Sequence, residues 1–241
     1  MAQPISASNT SDSVLTGSAV SIRPRTRTLL GAGIVAGPLF LGAGVVQGLA
    51  RDGFDFTRNA ISQLSLGDLG WIQVTSFLLT GILAIGGAIG IRQYLRDTPG
   101  GTWAPRLIAV FGASFLVSGI FAADPGNGFP AGTPRGSTGT MSAHGAVHMA
   151  AGMVGYLALC AAFLILARHF AAQDRRGWAV ACRVVPVAVL AGFAGSSTAV
   201  LAFTAGAGLG LLALTAVLAR LLTTAPRTES PRPGRSAGSP G

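Results

Sequence analysis

The chain has 241 residues, of which 50% are apolar and only 10% charged, with a mean hydropathy of +0.57. Soluble domains carry about 25% charged residues, so this composition excludes an ordinary water-soluble fold. All 17 basic residues are arginine against 8 acidic ones, a net charge of +9, and the arginines stand at the ends of apolar runs, which points to a membrane and away from nucleic acid.

Residues 1–27 are rich in Ser, Ala and Thr and end in Arg23, Arg25 and Arg27, and they read as a disordered basic tail. The first apolar run, 29–50, contains no charged residue, and its ~22 positions reach ~33 Å as a helix, enough for a ~30 Å hydrocarbon core. It is too long for the h-region of a signal peptide, so it is expected to be a retained span. Further spans are predicted at 70–91, 107–123 and 144–167. The stretch from Ala179 to Ala219 carries only Arg183 and would make a helix of ~60 Å, so it divides into two spans, 178–195 and 199–220. The turn falls at Gly195, Ser196, Ser197 and Thr198. Residues 223–241 are rich in Pro, Arg, Ser and Gly and read as a second disordered tail. The expected architecture is all-α: a polytopic bundle of six transmembrane helices in a membrane domain over 28–222.

With the N-terminus inside, 14 of the 17 arginines fall in cytoplasmic segments, while the opposite segments hold Arg51, Arg58 and Arg135 beside Asp52, Asp55, Asp68 and Asp124. Cationic loops resist translocation, so both termini are expected in the cytoplasm of a multi-pass cell-membrane protein. Gly33 and Gly37, Gly44 and Gly48, Gly86 and Gly90, and Gly206 and Gly210 stand four apart, which puts each pair on one helix face. They are read first as packing surfaces within the bundle and second as faces for a homo-oligomer. Pro38 and Pro186 lie inside spans, where each removes a backbone bond. Cys160 and Cys182 lack metal or redox spacing and are expected to be free thiols.

Two long outer connections contain most of the residues with chemical potential. The first, 51–68, mixes Asp55, Arg58, Asn59 and Ser62 with Phe54, Phe56, Ile61, Leu64 and Leu66, so it is expected to pack on the bundle, with a short interfacial helix near 58–65. The second begins Asp124-Pro125-Gly126-Asn127-Gly128-Phe129-Pro130 and reaches the fourth span through Ser142 and His144. His144 and His148 stack on one helix face, and with Asp124 they offer the donors of a zinc site. The same three residues also suit plain hydrogen bonding to the loops, which is the favoured reading, or a proton relay. The candidate outer polar cluster is therefore Asp55, Arg58, Asn59, Ser62, Asp124, His144 and His148.

Three passages in order carry a resemblance. They are Asn59-Ala60-Ile61-Ser62-Gln63-Leu64-Ser65-Leu66-Gly67 leading to Gly70-Trp71-Ile72-Gln73, then Phe121-Ala122-Ala123-Asp124-Pro125 with Gly128-Phe129-Pro130, then His144-Gly145-Ala146-Val147-His148. Over roughly 29–222 the chain resembles a bacterial integral membrane family known as domain of unknown function 998. The resemblance implies the six-span fold and no established activity. The last span departs from the family pattern, which has a polar Gln-Arg-like step near the start of span six where Ala199 to Ala219 has none. A fainter likeness, through Ile61-Ser62 and a His in the fourth span, is to six-span proteins of the Frag1 and DRAM type, which act in lipid and membrane homeostasis.

Three functions compete. A non-enzymatic membrane component with the lipid bilayer as its partner is favoured, because the charges stay at the helix ends. A metal-dependent membrane hydrolase would use zinc on His144, His148 and Asp124; otherwise no cofactor is expected. A small-solute or lipid-handling carrier would use bends at Pro38 and Pro186.

Overall fold

The computed structural model describes residues 23–98, 100–136, 140–197 and 199–224. Six long helices account for most of them: α1 (Pro24–Ala50), α2 (Gly70–Tyr94), α3 (Trp103–Ile120), α4 (Ala143–Ala172), α5 (Arg176–Ala194) and α6 (Val200–Thr223). Each is long and apolar enough to cross a membrane, and no strand occurs among the described residues. Successive helices pack side by side and α1 closes on α6, so the six form a ring in chain order. The connections 51–69 and 121–142 lie together at one end, the long-loop end. The opposite end carries Arg23, Arg25, Arg27, Arg92, Arg96, Arg106, Arg168, Arg175, Arg176 and Arg220, and is called the arginine end below.

The helix bounds differ from those read off hydropathy, and the differences have a common cause. Amphipathic residues extend a helix beyond its apolar stretch when one face stays covered. α1 starts at Pro24, a residue pre-shaped for a first turn, so Arg25 and Arg27 belong to the helix and not to the tail. α3 runs from Trp103 to Ile120 instead of 107–123, with Ala104 and Pro105 already buried in its first turn. α4 passes Arg168, which is exposed, because His169 and Phe170 on the next positions are buried; its last turn is tied by the contact of Gln173 Nε2 with His169 Nε2 at 2.9 Å. A 3-10 turn over Gly195–Ser197 joins α5 to α6 where the hairpin was expected. Thr198 and the tails at 1–22 and 225–241 lie outside the described residues.

Most of the paired glycines pack inside the bundle. A Cβ on Gly33 would stand 2.7 Å from the Gly87 Cα, so α1 and α2 meet backbone to backbone, and Gly90 gives room to Leu30 on the same seam. Gly206 does the same against Gly192 between α5 and α6, Gly210 faces Val189 and Leu159, and Gly37 faces Leu211 and Thr215. Gly44 and Gly48 instead seat side chains of the first long connection, Ile61 and Phe56. Gly86 touches its neighbours only loosely, with no atom nearer than 3.8 Å to an added Cβ.

The two internal prolines leave their helices continuous. Pro38 has no N–H for the Ile34 carbonyl four residues earlier, and the Thr215 hydroxyl of α6 donates to that carbonyl at 3.2 Å. The proline on one helix is thus answered by a hydroxyl on its neighbour. Gln47 Nε2 donates to Gln73 Oε1 at 2.7 Å, a buried polar link between α1 and α2 near the long-loop end. Cys160 and Cys182 are free thiols, both buried.

Candidate functional site

The two long connections fold over the end of the bundle and lace together through amides. Asn59 is fully buried (0% exposed), and its Nδ2 donates to the Gly126 carbonyl at 3.2 Å across the gap between the connections. Gln63, one turn further along the 3-10 helix Ile61–Ser65, donates to the Asp124 carbonyl at 3.2 Å, and Asn127 returns a bond to the Arg58 carbonyl at 3.2 Å. The expected interfacial helix is therefore a single 3-10 segment, anchored by buried Ile61 and Leu64. Arg51 closes the other side. Its NH1 and NH2 donate to the Leu64 and Leu66 carbonyls, both at 2.6 Å, and its guanidinium lies 4.8 Å from the centre of the Phe129 ring. Phe54 packs edge-on against both Phe56 and Phe129.

Asp55 works locally. Its Oδ1 accepts from the Thr57 backbone and hydroxyl, and its Oδ2 from Arg58 Nε at 3.0 Å. The Thr57 bonds, with the Arg58 charge beside them, hold the Asp55 carboxyl below the usual carboxylate range. Asp124 has a parallel role at the start of α4. Both of its oxygens accept from Ser142, one from the hydroxyl and one from the backbone N–H, while the Ser142 hydroxyl accepts from Gly145 N–H as the helix N-cap. Those bonds keep the Asp124 carboxyl low as well. An added Cβ at Gly145 would overlap the Asp124 carboxylate, so the glycine admits it.

The stacked histidines point to different surroundings. His144 is exposed and rests on the Phe121 ring at 5.2 Å. His148 is buried (6% exposed), and its Nδ1 meets the Phe121 carbonyl at 2.9 Å and the Ser118 carbonyl at 3.2 Å. Carbonyl oxygens only accept, so Nδ1 bears the proton and His148 caps the C-terminus of α3. In the neutral ring Nε2 keeps its lone pair. Among the described residues no three His, Cys, Asp or Glu side chains gather as a set able to hold a metal ion. The zinc arrangement drawn from sequence is not assembled: Asp124 is engaged by Ser142, His144 faces outward and His148 turns in.

Beneath the laced connections the ring of helices encloses a cavity of about 460 Å³. Arg58, Ser62, Gln63 and Asn127 form its mouth, His148 and Ser118 its next layer, and Phe40, Phe77, Phe115, Tyr156, Phe203 and Leu211 its depth. Lining residues on α6 run from Val200 to Leu211, about 17 Å at 1.5 Å per residue, which takes the cavity roughly halfway through a ~30 Å core. Of the cluster predicted from sequence, Arg58, Ser62 and His148 reach this cavity, whereas Asp55, Asn59, Asp124 and His144 support the loops around it. Sequence reading missed the cavity walls, above all Met149, Gly152 and Met153 on α4 and Thr204 on α6. Their one visible signal is two flexible methionines around a glycine on the helix that carries His148.

A ring of six apolar helices with an apolar cavity under polar loops defines a multi-pass membrane protein. Residues 34–225 match the family described as Protein of unknown function (DUF998), and the chain belongs to it. No curated protein and no solved structure matches the chain.

Proposed function

We propose that this protein is a non-catalytic membrane component that binds a lipid-like molecule in the cavity beneath its long loops. One observation carries the reading: a cavity in the usual size range for ligands, ~300–1,000 Å³, polar at its mouth and aromatic in its depth. That grading matches a molecule lying as membrane lipids do, head at the surface and chain inside. The uneven spread of arginine supports a position in the bacterial cytoplasmic membrane with both termini and the arginine end inside, and the cavity opening from the outer face.

Gly152 supplies the test. It lines the cavity and an added Cβ there meets nothing within 4 Å, so a large side chain fills space without forcing the helix to move. Native mass spectrometry of the detergent-purified protein is expected to show bound or added lipid at stoichiometric level, and Gly152→Trp to lower that occupancy at least tenfold with the thermal midpoint held. Equal occupancy in the two proteins would overturn the reading.

A further inference from the structure

We infer that the cavity takes a single-chain amphiphile whose head bears anionic oxygens, held at Arg58 and admitted from the side between α4 and the α5–α6 hairpin. This rests on the lipid-binding reading above and names its substrate class and route.

The charge of the lining decides the head. Among the described residues, Arg58 is the only one of permanent charge that lines the cavity, and no acidic side chain does; Asp55 and Asp124 are outside its lining. Asp55 engages only the Nε of Arg58, and among the described residues no partner meets its terminal nitrogens. Guanidinium donors of that kind suit a carboxylate or phosphate oxygen, and the Ser62 hydroxyl stands in the same wall. Size decides the chain. About 460 Å³ sits in the lower part of the ligand range, and that volume, walled by Phe40, Phe77 and Phe203, matches one hydrocarbon chain better than two.

Helix lengths decide the route. α4 has 30 residues and α5 only 19, a difference of about 16 Å at 1.5 Å per residue. α5 ends one residue after Phe193, which packs on Tyr156 of α4 at 5.2 Å. The turns of α4 before Tyr156 therefore extend past the end of α5. Met149 and Met153 on those turns line the cavity and are also 57% and 45% exposed, so the same side chains touch the interior and the surroundings. Val147 and Val154 beside them are exposed too, an apolar rim suited to the hydrocarbon phase.

The experiment measures binding to the full-length protein in phosphatidylcholine nanodiscs of four radiolabelled probes: palmitate, palmitoyl lysophosphatidate, hexadecanol and dipalmitoyl phosphatidate. Palmitate and lysophosphatidate are expected to bind saturably, the better of the two telling a carboxylate head from a phosphate one. Arg58→Gln is expected to weaken that probe about tenfold, as loss of one charge-assisted bond does, while Arg58→Lys stays within a few-fold and hexadecanol changes with neither. If Arg58→Gln shifts hexadecanol as much as palmitate, or shifts neither, the head assignment is overturned while the cavity stands. Phosphatidate binding as tightly as palmitate overturns the single-chain assignment. If no probe is displaced by Gly152→Trp, the lipid-binding reading itself fails.

Discussion

The two halves of the bundle solve opposite problems with the same helices. Toward the arginine end, Leu30, Ile91, Ile108, Leu166, Leu214 and Leu218 are all but fully buried and glycine seams draw the backbones together. The short turns there are fastened simply, as where Arg92 donates to the Gly101 carbonyl and the Thr102 hydroxyl, each at 2.8 Å. Toward the long-loop end a cavity opens among the helices, close contacts such as Gly192 with Gly206 persist beside it, and amides of the connections add to side-chain packing as the fastening. Dispersion contacts dominate one half, whereas the other adds directional bonds between its connections. Substitutions should accordingly act through volume in the first half and through hydrogen bonding in the second.

The largest effect is expected from volume in the packed half. Gly33→Val drives a side chain into the Gly87 backbone, and overpacking of this kind costs about 3 kcal/mol or more. Thermal unfolding in detergent should show it as a large drop in midpoint; an unchanged midpoint would mean that the α1–α2 seam is not tight. Next comes Asn59→Ala, which removes the buried amide that donates to the Gly126 carbonyl and accepts from the Asp55 N–H, at about 1–3 kcal/mol. Hydrogen exchange should rise in the 121–136 connection while the core of α2 stays protected, and a uniform rise along the chain would dissolve the contrast between the halves.

Thr215→Val is expected to cost about 0.5–1.5 kcal/mol by leaving the Ile34 carbonyl without a donor. Combined with Pro38→Ala, which restores the missing backbone N–H, the same change should cost measurably less. Additive effects in that double-mutant cycle would show that the hydroxyl does not answer the proline. The smallest effect concerns acid. The folded Asp124 carboxyl titrates below its ordinary value of ~3.9. Its stabilisation is thus present above that value and disappears as pH falls through the lower folded value. Asp124→Asn should flatten the loss of stability as pH falls below the ordinary carboxylate value, read by tryptophan fluorescence; an unaltered acid limb would remove Asp124 as a contributor.

The helices were legible because lipid imposes length and hydropathy on every span, and Leu29 to Ala50 shows both without a break. Their ends were not. Arg25, Trp103 and His169 are polar or interfacial residues that continue the helices beyond the uncharged runs from which the spans are read. The site was half legible. Proline, glycine and polar side chains flagged the two connections, and Asn59, Asp124 and His148 all proved to be engaged there. That Asn59 meets Gly126, or that His148 turns from His144 to cap α3, depends on pairing across the fold. The cavity left little local pattern beyond the methionines around Gly152, because its walls are drawn from all six helices and both connections.

The close-packed half carries a consequence for permeability. The cavity lining reaches Leu211 and Tyr156, and beyond them toward the arginine end Leu159, Phe163, Leu166, Leu214 and Leu218 are buried in the core. A guest taken through the α4 window would be drawn from a single leaflet and would leave by the same door. On the proposed reading the bundle would sample lipid on one side, with its close-packed half lying between that guest and the opposite face.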